Sequence, residues 1–259
     1  MMLEKAIKKW WFYVFILLLA FIPSITQKSV PSNQIPLLIK EVLQNSFIYR
    51  FPVFFPIIKI LIILILSGTL FFKDIFKKVF PLFFIILLTI ISVFQNISLD
   101  TQFGYALLLG NLLIQGLVVI SWIYEFRVQY NKYSQIKLAW WKIFCLILGF
   151  FAFWMPASNG LMRFSLIDFF INEAGLAYCM ITPVILSFLF LYFPNVNKVT
   201  LRITSFIGLY FGIINMLTWF LLNTEYWWMG VIHLPLLINS MIGLILSTKI
   251  KARTSYNNG

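Results

Sequence analysis

Ionisable chemistry is scarce in this chain. It holds one histidine, two cysteines and eight acidic residues among 259, and charged residues of every kind make up 11%. One histidine cannot supply both axial ligands of a bis-histidine haem. Two cysteines give no disulfide framework; Cys145 and Cys179 fall at different depths in the reading below and serve as packing residues. HExxH, GxSxG and Walker A patterns are missing, as are paired carboxylates within the apolar segments, so metalloprotease, serine hydrolase, P-loop and carboxylate-relay pump chemistry find no support. Charge this sparse cannot cover the surface of a water-soluble domain of this length.

What is there instead is apolar and continuous. Hydrophobic residues make up 61% of the chain. About 20 apolar residues cross the roughly 30 Å hydrocarbon layer as a helix. Barrel strands would alternate apolar with polar, which these runs do not. Eight runs are expected to span: about Trp10–Ile25, Phe51–Phe72, Val79–Gln95, Phe103–Tyr124, Ala139–Met155, Leu176–Phe193, Leu201–Leu222 and Trp227–Ser247. The expected fold is an all-α polytopic membrane bundle, a single domain with eight transmembrane helices. The first run follows Lys5, Lys8 and Lys9 and resembles a secretory signal, but it lacks a good cleavage pattern and is read as an uncleaved anchor.

The cations give this bundle an orientation. With both termini in the cytoplasm, fifteen of the twenty lysines and arginines lie on the inside with three of the eight acids. The outer side, with the outer half of the second run, then holds five of each: Lys28, Lys40, Arg50, Lys59 and Arg163 against Glu41, Asp100, Asp168, Glu173 and Glu225. Retention of positive charge on the cytoplasmic side accounts for the net charge of +12, so no nucleic-acid partner is invoked. The cell membrane is the expected location. All nine tryptophans fall near proposed span ends, where indoles serve an apolar and a polar medium at once.

Two outer loops carry helical periodicity. Leu38, Ile39, Val42, Leu43 and Phe47 oppose Lys40, Glu41 and Gln44; Phe164, Ile167, Phe170 and Ile171 oppose Arg163, Asp168 and Asn172. Both read as interfacial helices that seal the bundle or cover a pocket.

Polar residues within the apolar runs are the candidate site. Lys59, Asn111, Asn215 and His233 all fall roughly 9–12 Å below the outer boundary at about 1.5 Å per residue. Thr182 lies at a similar depth beside Pro183, and Pro52, Pro56 and Pro235 can free backbone carbonyls nearby. A fixed positive charge, an imidazole and two amides at one level describe an outward-facing polar pocket for a small-molecule ligand. The competing reading is structural: a lysine that reaches outward to the headgroups, and asparagines that bond between helices. Gly208 and Gly212 form a GxxxG pair that admits a close helix, either within the bundle or in a homo- or hetero-oligomer.

The leading expectation is small-molecule transport or solute binding, without a cofactor or metal. A non-catalytic subunit or assembly factor of a larger complex is the second. An outer-leaflet lipid-modifying enzyme with His233 as base is the third, weakened by the lack of a carboxylate or cysteine companion at that depth.

Overall fold

A computed structural model describes residues 2–133, 136–158, 161–162 and 164–250. Arg163, Lys251, Arg253 and the tail 255–259, all used in the sequence reading, lie outside the described residues. In chain order the helices are α1 (Met2–Ala6), α2 (Trp10–Leu19), α3 (Ile35–Gln44), α4 (Phe54–Phe71), α5 (Lys73–Phe94), α6 (Leu109–Val128), α7 (Trp140–Trp154), α8 (Leu166–Ile171), α9 (Tyr178–Leu191), α10 (Lys198–Leu217) and α11 (Trp227–Lys249).

Each of the eight apolar runs holds a helix, but not each helix is a full crossing. Five are long and apolar enough to cross a membrane: α4, α5, α6, the segment Lys198–Leu222 and the segment Thr224–Lys249. A sixth arises if Leu166–Leu176 and Tyr178–Leu191, bent by 94° at their junction, count as one broken span. Of the eight expected crossings, length and composition support five or six among the described residues. α2 has ten residues and α7 fifteen, about 15 and 22 Å of helix against a layer of about 30 Å. α2 stops at Leu19 because the chain turns ahead of Pro23 and enters a strand. The apolar helices identify a membrane-embedded protein.

α9 is the central post. Every residue from Met180 to Leu191 is buried, so the helix is apolar all round because protein surrounds it on all sides. α7, α10 and α11 pack around it through small and hydroxyl-bearing residues. Gly149 meets Ser187, Gly208 meets Ser240 and Thr182, and Gly243 meets Ser205. Asn239 of α11 donates to Cys145 O at 3.2 Å and Pro183 O at 3.1 Å, tying three helices at one level. Without a hydrophobic drive between helices in lipid, close packing and such polar ties hold the bundle together. Gly212 touches Leu237, so both glycines of the GxxxG pair face α11 of the same chain.

An aromatic core fills the space between α5, α6 and α9. Phe80 stacks on Phe188 at 5.1 Å and contacts Trp122 at 5.8 Å. Trp122 is thus fully buried rather than an interfacial anchor, a correction to its expected place. Trp10, Trp140 and Trp227 do lie exposed at helix starts.

One end of the bundle carries a feature that the apolar pattern hid. Strands β1 (Ile25–Thr26), β2 (Ile97–Thr101) and β3 (Gly104–Leu107) form an antiparallel sheet in the order β1-β3-β2. Gly104 takes φ +76° at the tight turn, where a side chain would be strained and would strike Gln27. This sheet replaces the expected first turn of the fourth span. Arg50 pairs with Asp100 across it, and α3 lies against it through Leu38 and Val42, the expected face. A second, two-stranded hairpin joins β4 (Ala157–Ser158) to β5 (Leu161–Met162).

α8 keeps the expected opposition of apolar and polar faces. Its apolar residues Ile167, Phe170 and Ile171 point outward, with Phe164 just before it, whereas Asp168 and Asn172 are buried. In a medium of lipid the apolar face belongs outside, and the polar face finds its partners inside.

Candidate functional site

Lys59 lies on α4, four residues after Phe55, which begins the buried stripe that ends at Thr69, and has no exposed surface. Its ammonium donates to Phe153 O at 3.0 Å, to Phe169 O and to Asn172 Oδ1. The rings of Phe153 and Phe169 lie 5.2 and 5.1 Å from Nζ. Those carbonyls belong to the last turns of α7 and α8, which have no donor of their own and carry the negative end of each helix dipole. Asn172 completes the knot. Its amide nitrogen donates to Trp154 O at 2.6 Å and Met155 O at 3.2 Å, while its oxygen also accepts from Ala174 N at 3.1 Å. Lys59 therefore turns inward, with its three donors committed, rather than reaching out to the headgroups.

Asn215 and His233 border one apolar cluster formed by Ala152, Met155, Ala174, Ala177, Met180 and Ile232, flanked by Cys179, Trp228 and Met229. Asn215 donates to Phe211 O at 2.8 Å and to Cys179 Sγ at 3.6 Å, and accepts from Trp219 Nε1 at 3.2 Å. His233 Nδ1 lies 2.7 Å from Met229 O. A carbonyl can only accept, so Nδ1 carries the proton and Nε2 keeps a lone pair. That Nε2 makes no hydrogen bond among the described residues. Lys59 reaches the same cluster at one remove, through Asn172 and Met155.

The helices that carry these residues are irregular. Pro183 in α9 and Pro235 in α11 have no N–H for the carbonyls of Cys179 and Val231. α10 continues into a π-helical turn, Thr218–Leu222, whose Phe220 ring packs on Gly230. Asn111 stands apart. It is half-buried on α6, beside Gly110, which meets the carbonyl of Leu19 in α2. Among the described residues no hydrogen bond joins it to the other three, so Asn215 and His233 border one cluster, Lys59 reaches it through Asn172, and Asn111 stands elsewhere.

Sequence reasoning missed a polar knot at the opposite, lysine-rich end. Glu125 sits in the last turn of α6 and is buried. It accepts from Asn131 N at 2.9 Å and Asn197 Nδ2 at 2.6 Å, and Asn131 Oδ1 accepts from Asn197 N at 2.6 Å. Asn131 also donates to the Tyr133 hydroxyl at 3.2 Å. Burial, with Glu125 nearby, pushes the Tyr133 phenol well above its usual range. A carboxylate near a helix C-terminus opposes the dipole and needs such donors. The signal in sequence was the pair of asparagine-bearing turns, at Asn131 and at Asn195–Asn197. Lys142, read as a cytoplasmic flank, is also buried. It donates to Leu191 O at 3.0 Å and Phe193 O at 3.3 Å, closing the end of α9.

Next to this knot a cleft of about 650 Å³ opens between α1, the turns 130–132 and 194–197, and the ends of α10 and α11. Comparisons of this chain with family models, curated proteins and solved structures give no match.

Proposed function

We propose that this membrane protein binds or transports a small solute at the level where α9, α10 and α11 depart from regular helix. The observation that carries the reading is that Asn215 and His233 border one cluster that includes Ile232 and is flanked by Cys179, beside the carbonyls of Val231 and Cys179 that Pro235 and Pro183 leave without a helical donor. Interrupted helices in membrane bundles free backbone groups for ligands, and the open lone pair on His233 Nε2 adds an acceptor. Lys59 then holds α8 in place rather than touching the ligand. The protein is taken to lie in the cell membrane with both termini cytoplasmic, the side that the lysine count assigns.

Thermal-shift screening of the detergent-solubilised protein against metabolites and lipids tests this. A stabilising ligand whose effect is lost in His233→Ala and Asn215→Ala is the expected outcome. A broad panel without any stabilisation counts against it.

A second reading, a non-catalytic subunit, draws on α6. Nothing lies within 4 Å of a side-chain position at Gly116, and Leu113 and Ile120 on the same face are exposed. A partner helix could approach there. A stoichiometric companion in mild detergent, lost in Gly116→Leu, is what this reading requires.

A further inference from the structure

The cleft at the lysine-rich end is not explained by the solute site, which lies at the other end of the helices. Its walls bring together Lys5 and Lys8 from the N-terminal segment, Lys132 from the turn after α6, Lys198 at the start of α10 and Lys249 at the end of α11. Among the described residues, Glu4 is the one acid on these walls. Positive-inside sorting requires lysines somewhere on this side; it does not require four separate segments to point them into one concavity. Five lysines against one carboxylate leave the concavity net positive, so a fold that converges them gains from an anion between them.

One of the five cations, Lys198, is held in place. Lys198 donates to Ile250 O at 2.9 Å, and Asn197 caps α10 by accepting from Val199 N at 2.8 Å. Lys8 and Arg202 both lie near enough to Lys198 to repel it. The N-terminus of α10, a 20-residue helix, therefore opens toward the cleft with its positive dipole end. Asn195 and Asn197 are on the same walls, and the latter is fixed by the Glu125 knot. The volume is within the range of about 300–1,000 Å³ typical of ligand sites. Trp10 and Trp11, exposed immediately after this segment, mark the headgroup level.

We propose that this cleft binds a phosphate-bearing anion, with Lys5, Lys8, Lys132, Lys198 and Lys249 as its cationic walls and the α10 N-terminus as its floor. The shared chemistry is a phosphate group. Its source is either an anionic phospholipid headgroup, which the tryptophan level favours, or a soluble phosphate compound.

The test uses the full chain in a neutral detergent, with wild type compared to Lys5→Gln/Lys8→Gln/Lys249→Gln. All three lysines are exposed and make no side-chain hydrogen bond among the described residues, so the variant should fold. Melting midpoints are read with added phosphatidylglycerol, phosphatidylcholine or pyrophosphate. A rise of several degrees with phosphatidylglycerol but not phosphatidylcholine, lost in the triple variant, supports the site and names the headgroup as source. A comparable rise with pyrophosphate, lost in the same variant, supports the site and names the soluble compound. No selective rise, or one that persists in the triple variant, overturns the proposal. A Lys28→Gln/Lys40→Gln control, at the sheet end, should respond as wild type does.

Discussion

Lys59→Met shows what a single ammonium holds. The substitution removes a buried charge but leaves the carbonyls of Phe153 and Phe169 without their donor, so the loss of stability should be on the order of 3 kcal/mol. Thermal denaturation in detergent would measure it. Lys28→Met, at an exposed lysine whose amine lies 3.3 Å from Gln102 O, should change stability by less than about 0.5 kcal/mol. At the other end, Glu125→Gln presents an amide nitrogen to one of two donors, Asn131 N–H or Asn197 Nδ2–H. A loss of about 1–3 kcal/mol is expected, read in the same melt. Three lysines share one device here. Lys59, Lys142 and Lys198 each place an ammonium on the terminal carbonyls of a helix that is not their own. Charge counting sees such residues as markers of orientation; it has no access to the partner that a distant helix end supplies.

Among the elements, α10 and α11 pack most closely, and Gly212 limits how near they come. A Cβ there would lie 2.9 Å from Leu237 Cα, a backbone atom that cannot swing aside. Gly212→Val should therefore part the two helices and lower stability by about 1–3 kcal/mol. Gly116→Val, where space is open, should leave the melting midpoint nearly unchanged in the isolated chain. The positions of the helices were legible in the sequence because apolar runs announce them. Their lengths were not. α2 ends early because residues 25 and 26 pair with β3, a contact with residues some 80 positions away that no local pattern encodes. For α8 the pattern gave the period but not the side, because the periodicity of an interfacial helix does not say whether lipid or protein takes the apolar face. Of the candidate site, residue counting suggested that Asn215 and His233 be considered together, and both border one cluster. The inward turn of Lys59 was not, since it depends on where the last turn of α7 comes to rest.

On the scale of the whole molecule, the separation of charge makes a topological prediction. Cysteines introduced at positions 28 and 132, with Cys145 and Cys179 replaced by alanine, should be labelled by a membrane-impermeant maleimide from opposite sides. Position 28 should react in intact cells, and position 132 only after permeabilisation. Labelling of both from one side would remove the orientation on which the solute site and the phosphate cleft are assigned to their respective leaflets. The two ends of the bundle also differ in how they are fastened. The far ends of α7 and α8 converge on the tip of one side chain from α4, like two ropes on a single cleat. Were that cleat to slip, backbone amides across residues 169–177 would lose their shelter together, and deuterium uptake there would rise as one block while the central post stayed protected.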